Sequence, residues 1–308
     1  MKKSIAVAKN PVIFMNKRIV EEAGSCMRLA WYRIRASKEV VDNPTKETLL
    51  LYGRFVGIEA RKHFPGGHLI EAERFSQMLQ ATSTALAEGH DVVFEAAFSY
   101  RGLGIIADVL RRGPDGAWDL IEVKAGITPD DDYLEDVAIQ TWVLRRLGMK
   151  IRPFLMLVDR NATIHSEDLF NVTDCEVAVG ALLPEIDERI RRISNACSSE
   201  IAPPGNIRRY CRECDFFKTC FPRLPEHHVF TLHYGGKKID ALLAKKIEGL
   251  LDIPKKMKLN VKQRRQIECV RTSSIWKSKN LADDLMLASY PMYFMDFEID
   301  HQPGASPQ

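Results

Sequence analysis

The 308-residue chain has little net charge, few cysteines and no long hydrophobic run. Lys and Arg number 44 against 41 Asp and Glu, so the formal charge is only +3 and any nucleic-acid affinity must come from local basic patches. The apolar stretch near the N-terminus is too short and too interrupted for a signal peptide or a spanning helix. We therefore expect a cytoplasmic protein with no membrane partner.

Seven cysteines are too few in a chain of this length for a secreted disulfide scaffold. The rest of the composition is that of an ordinary globular protein, with 45% hydrophobic and 28% charged residues, enough for one large or two modest cores. In a reducing compartment, clustered cysteines indicate ligands of a metal ion or a metal cluster. The spacing of the cysteines is therefore more informative than their number.

Secondary-structure signals in the first half of the chain predict an α/β fold. Apolar periodicity predicts a helix over 43–64. Short segments rich in Val, Ile, Phe and Trp predict consecutive antiparallel strands at 91–98, 104–110 and 118–123, because Gly, Pro and Asp turns separate them. A helix over 131–148 then leads to a strand at 154–158. A helix that crosses between strands implies a central mixed sheet flanked by helices.

The second half of the chain is expected to be mainly helical. Residues 168–195 have a helical pattern, and 241–266 is helical and basic, which predicts a helical C-terminal appendage. The last 20 residues return to an apolar strand and end in a loose tail. We accordingly predict a core domain at 1–225, a helical basic linker at 226–288, and a terminal strand with its tail at 289–308.

Two acidic residues and a lysine lie in and around the predicted hairpin. Glu122 and Lys124 are two residues apart on one strand, so their side chains project from the same face. Antiparallel pairing brings Asp108 toward Glu122, and the two carboxylates can bind one Mg²⁺ or Mn²⁺ ion, with the Val123 carbonyl as a further ligand. Such an ion activates water and neutralises phosphoryl charge, while Lys124 orients the nucleophile or stabilises the transition state. The same triplet also occurs on solvated hairpins, and that alternative stays open.

Two further polar positions are candidates for the same site. Gln140 shares a helical face with Tyr133 and Asp136, and this face is either a polar helix surface or a substrate contact. Glu95 is a charged residue within an apolar strand, where an unpaired carboxylate is costly. It either joins the metal site or pairs with an Arg or Lys of the core. The local pattern leaves these alternatives open.

In order and spacing, these motifs resemble the RecB-like branch of the PD-(D/E)XK nuclease superfamily. That branch has a Gly-x-x-x-Asp strand, a Glu/Asp-x-Lys strand and then a helix with Gln. The matching positions here are Gly104, Asp108, Glu122, Lys124 and Gln140. The resemblance implies a restriction-endonuclease-like core that hydrolyses phosphodiester bonds with Mg²⁺ or Mn²⁺. It also implies that Asp108 and Glu122 bind the metal, that Lys124 assists the attacking water, and that Gln140 lies near the substrate.

Two positions depart from the pattern of that family. Leu144 stands where the family often has Tyr four residues after the Gln, which bears on how this helix contacts DNA. Gly57 stands where an N-terminal helix of the family commonly supplies a His. Glu59 and His63 are nearby candidates to replace it, and each also fits an ordinary helix surface.

Three cysteines, Cys211, Cys214 and Cys220, form a C-x2-C-x5-C array, and Cys26 lies far upstream. Four thiolates are the ligand set of a [4Fe–4S] cluster or a structural Zn²⁺, although three such thiols can also occur on a loop without metal. The layout resembles RecB-like nucleases such as the AddB helicase-nuclease subunit and the CRISPR-associated iron–sulfur nucleases. That resemblance implies a [4Fe–4S] cluster, with Zn²⁺ as the alternative, that clasps the two ends of the nuclease domain. The remaining cysteines are expected to be small buried side chains: Cys175, Cys197 and Cys269.

Near the C-terminus, Asp296 and Glu298 lie two residues apart on a predicted apolar strand. This pair resembles the first motif of DEDD (DnaQ-like) exonucleases. The combination resembles a bacterial family in which an iron–sulfur nuclease module precedes a DEDD-like domain. The chain ends ten residues after Glu298, so we expect this second site to be incomplete, either because the chain is truncated or because the strand is a structural remnant.

Taken together, these patterns predict a metal-dependent DNA nuclease that acts on single strands or from an end, with a helicase or a repair or defence protein as its partner. A catalytically silent nucleic-acid-binding scaffold of the same fold and a zinc-stapled interaction module remain as alternatives. Basic side chains that either contact phosphates or form a solvated surface are Arg111, Arg112, Lys255, Lys256, Lys258, Lys262, Arg264 and Arg265.

Overall fold

The computed structural model describes residues 14–35, 44–162, 169–287, 292, 293 and 295, and of residues 44–50 it describes the backbone alone. The described residues divide into two compact units, one that ends at Pro204 and one that begins at Gly205. The predicted boundary after residue 225 stays a prediction. Within the described residues, no helix combines the length and the apolar character needed to cross a membrane.

In the described part of the first unit, seven strands form one mixed sheet. The strands are β1 (Met15–Asn16), β2 (His68–Leu69), β3 (Val92–Tyr100), β4 (Leu103–Arg112), β5 (Trp118–Lys124), β6 (Ile151–Val158) and β7 (Phe170–Asp174). Their order is β2-β3-β4-β5-β6-β7, and β1 pairs in parallel with β4. The pairs β3/β4 and β4/β5 are antiparallel, which confirms the three predicted consecutive strands. β5 and β6 are parallel and are joined through a helix, which confirms the α/β architecture with a mixed sheet flanked by helices.

Helices cover both faces of the sheet. Leu110 and Leu120 pack into a large cluster with helices of one face, while their neighbours Val109 and Ile121 pack into a second cluster that includes Ala60. This alternation places the two clusters on opposite faces. The α-helices of the first unit are α1 (Lys17–Ser25), α2 (Met27–Arg35), α3 (Pro44–Arg61), α4 (Phe75–Ala87), α5 (Asp131–Arg146) and α6 (Glu176–Cys197). Those of the second unit are α7 (Phe217–Cys220), α8 (Lys237–Leu243), α9 (Val261–Thr272) and α10 (Leu281–Met286).

Two helix predictions are wrong in part. The predicted helix at 168–195 begins with strand β7, which pairs with β6 over five residues before α6 starts at Glu176. Pairing with the edge of the sheet overrides the local helical pattern there. The predicted helix at 241–266 is interrupted, because α8 ends at Leu243 and α9 begins at Val261 after the Asn260 N-cap. Pro254 lies between the two helices and lacks the backbone N–H that a continuous helix needs.

The core of the second unit contains a histidine that we expect to make this unit acid-sensitive. His228 is 3% exposed, its Nδ1 accepts a hydrogen bond from the Phe230 N–H, and its Nε2 is buried without a partner among the described residues. Burial lowers the pKa of His228, against an opposing effect of the Glu248 charge. Since the folded pKa lies below that of the unfolded chain, His228 stabilises the fold at neutral pH and this contribution is lost as the pH falls below about 6.5.

Hydrogen exchange measures this loss locally. The Val229 amide donates to the Glu248 carbonyl at 2.7 Å and the Leu250 amide to the His227 carbonyl at 2.8 Å. Their protection, corrected for intrinsic exchange, is expected to fall between pH 7 and pH 5. In His228→Asn, which keeps an acceptor for Phe230 and does not titrate, protection should stay level. Equal pH dependence in the two proteins would assign the acid sensitivity to another group.

Candidate active site

Asp108 lies where the pairing of β4 with β5 ends. The ladder stops at the pair Val109 and Ile121, and beyond it the Asp108 carboxylate accepts a hydrogen bond from the Val123 N–H at 2.8 Å. The Val123 N–H thus donates to the Asp108 side chain and not to the backbone carbonyl that would have continued the β4/β5 ladder. The Asp108 carboxylate is thereby fixed between the two strands, beside the face of β5 that carries Glu122.

Glu95 and Asp108 share an irregularity of the sheet. On β4, Ala107 and Val109 are two residues apart but pack into opposite core clusters, and on β3 Phe94 and Ala96 do the same. Both strands therefore lose their alternation at the same level, and Glu95 has a φ of 55° there, in the left-handed region that is unusual for a non-glycine residue. Such strain occurs most often at functional sites.

The α5 helix carries the polar partners of β5. Glu122 is 2% exposed, and its carboxylate accepts from Gln140 Nε2 at 2.5 Å and pairs with Lys124 at 2.8 Å. Lys124 also binds Asp136, and Gln140 donates a second bond to Asp136 at 3.0 Å. Asp136 is 4% exposed and Gln140 is fully buried. The alternatives of a solvated hairpin and of a polar helix surface are therefore wrong.

Lys17, the first residue of α1, completes this network. Its Nζ lies 2.6 Å from Asp136 Oδ1 and 3.3 Å from Glu122 Oε1. Two lysines and two buried carboxylates thus form one connected cluster. No sequence pattern indicated Lys17, and Asp136 was predicted only as a neighbour on the Gln140 face. The signal that could have found Asp136 is its position four residues before Gln140.

The charges of the cluster shift its titration. Burial, and next the charge of Glu122, raise the pKa of Asp108 well above its ordinary value, although the hydrogen bond from Val123 opposes this shift. Burial alone would lower the pKa of Lys124, but the charges of Glu122 and Asp136 raise it above its ordinary value. These surroundings therefore shift the titration of Asp108 toward its protonated form and that of Lys124 toward its charged form.

A cleft of about 690 Å³ opens on the Asp136 and Lys124 side of this cluster. Lys124 and Asp136 line it together with Tyr133, whose ring lies 5.8 Å from the Lys124 ammonium. Glu21 lines the same cleft, where burial and the charge of Asp136 raise its pKa to about 7. The cluster is therefore open to solvent on this side, and a group able to exchange protons near neutral pH lies at its rim.

The oxygen donors of the cluster determine which metal ion it can hold. No group of three or more His, Cys, Asp or Glu side chains suited to a metal ion occurs among residues 14–35, 44–162 and 169–287. Mg²⁺ does not require such a group, since it keeps several waters and binds through one or two carboxylates. Asp108 and Glu122 supply two, and Gln140 Oε1 is a buried acceptor without a donor in the described structure. The oxygen donors present fit a hydrated Mg²⁺ or Mn²⁺ ion.

Several predicted residues of the first unit lie outside this cluster. Arg111 is bound to Asp119 at 2.8 Å. Arg112 lies 4.5 Å above the Trp118 ring. On the α3 side, Glu59 pairs with Lys62, and the exposed His63 contacts the Phe170 ring edge to face. The predicted DNA contacts of the arginines remain predictions. In the described part of the chain, neither Glu59 nor His63 forms a hydrogen bond or an ion pair with Asp108 or Glu122.

Glu95 faces a mixed charge environment. Burial raises the pKa of the Glu95 carboxyl, the charge of Arg61 lowers it, and the charge of Glu122 raises it again. Arg61 is thus the core arginine that one alternative required, while the proximity of Glu122 is what the metal-site alternative required. Both alternatives for Glu95 stay open.

The predicted cysteine ligands are divided between the two units. Cys26 follows α1 in the first unit, and Cys211, Cys214 and Cys220 belong to the second unit, where all three are half-buried. Cys175 and Cys197 are buried, which confirms the expectation for them, whereas Cys269 is only half-buried.

Leu144, which stands where the resembled family often has Tyr, is fully buried in the core of the first unit.

The remaining predicted residues lie in the second unit or outside the described residues. Asp296 and Glu298 are among the residues that the structure does not describe. The predicted phosphate contacts in and before α9 are all exposed: Lys255, Lys256, Lys258, Lys262, Arg264 and Arg265. Nothing in this arrangement decides between a phosphate-binding surface and a solvated one.

No protein-family model matches this chain, and no curated protein sequence matches it. Among solved structures, the crystal structure of SSO0001 aligns at 11% identity over 69% of this chain and 88% of that one, with a TM-score of 0.31. An overlap of this quality carries no argument about activity. The functional conclusion therefore depends on the chemistry of the cluster.

Proposed function

We propose that this chain is a metal-dependent DNA nuclease with a PD-(D/E)XK, RecB-like core, acting on single strands or from DNA ends. The observation that supports the proposal best is the convergence of Asp108 and Glu122 from adjacent strands, with Lys124 on the same face as Glu122. Gln140, the fourth predicted residue, is hydrogen-bonded to Glu122. Residues that share no local structural role meet at one point, as a catalytic site requires.

Asp108 and Glu122 are the residues that would hold Mg²⁺ or Mn²⁺. When bound, the ion supplies a water of lowered pKa and neutralises charge on the phosphate. In the hydrolysis, a water oxygen bonds to phosphorus, the phosphorus–oxygen bond to the leaving group breaks, the water gives up its proton, and the leaving oxygen takes one from solvent. Lys124 orients the attacking water and stabilises the added negative charge. Gln140 holds the Glu122 carboxylate in position.

Replacement of Lys124 tests this assignment. Lys124→Ala is expected to lower the rate of cleavage of a labelled single-stranded oligonucleotide in Mg²⁺ or Mn²⁺ by about 10²-fold, since a positioned charge is removed. Lys62→Ala, a lysine change in the exposed Lys62–Glu59 pair of the other helical layer, is the control and should leave the rate unchanged. Cleavage that survives Lys124→Ala at the wild-type rate would contradict the mechanism.

The spacing of the cysteines supports a second part of the proposal, a structural [4Fe–4S] cluster with Cys26, Cys211, Cys214 and Cys220 as ligands and Zn²⁺ as the alternative. Anaerobically purified protein is expected to be brown and to contain about four irons per chain. Cys214→Ser should abolish the visible absorption, while Cys269→Ser should preserve it. Colourless protein that contains stoichiometric zinc would establish the alternative metal.

One observation favours a second function, a nucleic-acid-binding scaffold that does not cleave. Lys17 and Lys124 both contact the Glu122 carboxylate, so the acidic cluster is charge-compensated without any metal ion. DNA binding by the wild-type protein without hydrolysis in Mg²⁺ or Mn²⁺ would establish the scaffold. A protein that neither binds nor cleaves DNA would support the remaining alternative, the zinc-stapled interaction module.

A further inference from the structure

The backbone on either side of Lys17 positions this residue at the acidic cluster. Met15, which is 1% exposed, and Asn16 form strand β1 and pair in parallel with Leu103 and Gly104 of β4. Asn16 then caps α1 by accepting a hydrogen bond from the Ile19 N–H at 3.1 Å. Strand pairing before Lys17 and the helix cap around it therefore fix the position of the Lys17 backbone.

Lys17 does not simply occupy the place of a metal ion between Asp108 and Glu122. Its shorter contact is to Asp136, at 2.6 Å, and its longer one is to Glu122, at 3.3 Å. Both carboxylates are occupied in the same way: Lys17 and Gln140 bind one Asp136 oxygen and Lys124 binds the other, while Lys17 and Lys124 bind one Glu122 oxygen and Gln140 binds the other. Because Lys17 lies closer to Asp136 than to Glu122, a cation that replaced the lysines at Glu122 would leave Lys17 held by Asp136.

A structural role alone does not account for this lysine. Asp136 already has one ammonium partner in Lys124 and an amide donor in Gln140. Bringing a second ammonium into a partly buried position costs desolvation, and apolar residues usually stabilise such positions as well. The Lys17 side chain also keeps 29% of its surface exposed, so its charge can be reached from solvent.

We propose that Lys17 is a second phosphate-binding cation of the reaction centre, which contacts the non-bridging oxygens of the phosphodiester next to the metal and is held there by Asp136. This inference rests on the proposed nuclease function and adds a substrate contact from α1 to it. Asp108 and Glu122 would hold the metal, which would neutralise part of the Glu122 charge, and Lys17 would then face the anionic phosphate. Lys124 keeps its proposed role of orienting the attacking water.

The salt dependence of the binding constant measures how many phosphates the protein contacts, and it does not require cleavage. A labelled single-stranded oligonucleotide is titrated with protein in Ca²⁺, an oxygen-binding ion used here in place of Mg²⁺, at a series of salt concentrations. For Lys17→Met, the slope of log K against log salt is expected to become shallower by about 0.7, the value for one phosphate contact on a single strand. Lys17→Arg keeps the charge and should keep the wild-type slope.

The matched control is Lys150→Met. Lys150 is exposed and lies at the opposite end of β5, where its carbonyl accepts a hydrogen bond from the Trp118 N–H. Four residues of strand, about 13 Å, separate Trp118 from Glu122. The control should change neither the slope nor the cleavage. If Lys17→Met fails to fold by circular dichroism, Lys17→Gln, which can still donate a hydrogen bond to Asp136, replaces it in the same titration.

Cleavage in Mg²⁺ separates this inference from the proposed function. For Lys17→Met we expect KM to rise about tenfold with the metal concentration at half-maximal rate unchanged. A wild-type protein that cleaves, with Lys17→Met unchanged in slope and KM, would overturn the inference and leave the nuclease standing. A lower metal requirement at full kcat would show that Lys17 competes with the metal and would also overturn it. A wild-type protein that binds the oligonucleotide but does not cleave it would overturn the proposed nuclease function. The slope of log K against log salt would still show whether Lys17 contacts a phosphate.

Discussion

Changing Glu122 to glutamine is expected to lower the cleavage rate by about 10³-fold or more. The substitution keeps the size of the side chain and an oxygen that can accept from Gln140, but it removes one of the two negative charges available to a divalent cation. The remaining carboxylate, Asp108, has its pKa raised by burial and by Glu122, and it accepts a bond from the Val123 N–H. Single-turnover cleavage in Mn²⁺, with calorimetric titration of Mn²⁺, measures both losses.

The control for this change is Glu188→Gln on α6, where an exposed glutamate pairs with Arg191. It removes the same charge at a surface pair and should leave cleavage and metal binding unaltered. If Glu122→Gln binds Mn²⁺ as tightly as the wild type but does not cleave, Glu122 acts in the chemistry and not as a ligand. Full cleavage by Glu122→Gln would remove Glu122 from the site altogether.

Local sequence signals predicted the centre of the fold because its elements are defined by neighbouring residues. The strands β3, β4 and β5 are short apolar segments bounded by turns, and α5 has acidic residues in its first turn and arginines in its last. Strand β7 was predicted as helix because its pairing with β6 depends on residues elsewhere in the chain. No residue within Phe170–Asp174 carries that information.

The candidate site shows the same division. Glu122 and Lys124 are two residues apart on one strand, and spacing alone places them on one face. Lys17 is separated from Glu122 by 105 residues, and no periodic pattern links the two positions. Its place depends on the pairing of β1 with β4, a two-residue contact that is too short to leave a signature in the sequence. The positive φ of Glu95 is likewise a tertiary feature, because nothing in an apolar strand pattern predicts it.

The largest effect on stability is expected for Asp136→Asn, which should lower the free energy of unfolding of the first unit by about 3 kcal/mol at pH 7. The change leaves Lys17 and Lys124 with Glu122 as their only shared carboxylate. Urea unfolding followed by tryptophan fluorescence reports on this unit, because three of the four tryptophans, Trp31, Trp118 and Trp142, lie in it.

Acid should remove the same stabilisation from the wild type. Burial tends to raise the pKa of Asp136, but the charges of Lys17 and Lys124 lower it to about 2. Because the folded pKa lies below the unfolded value of 3.8, about 2 kcal/mol of stability is present above pH 4 and is lost as the pH falls toward 2. The stability difference between wild type and Asp136→Asn should therefore shrink over this range. Asp131→Asn, in the exposed first turn of the same helix, should cost about 0.5 kcal/mol. If Asp136→Asn costs no more than Asp131→Asn at pH 7, the four-residue charge cluster does not stabilise the fold, and Asp136 then serves only to hold the lysines in place for the reaction.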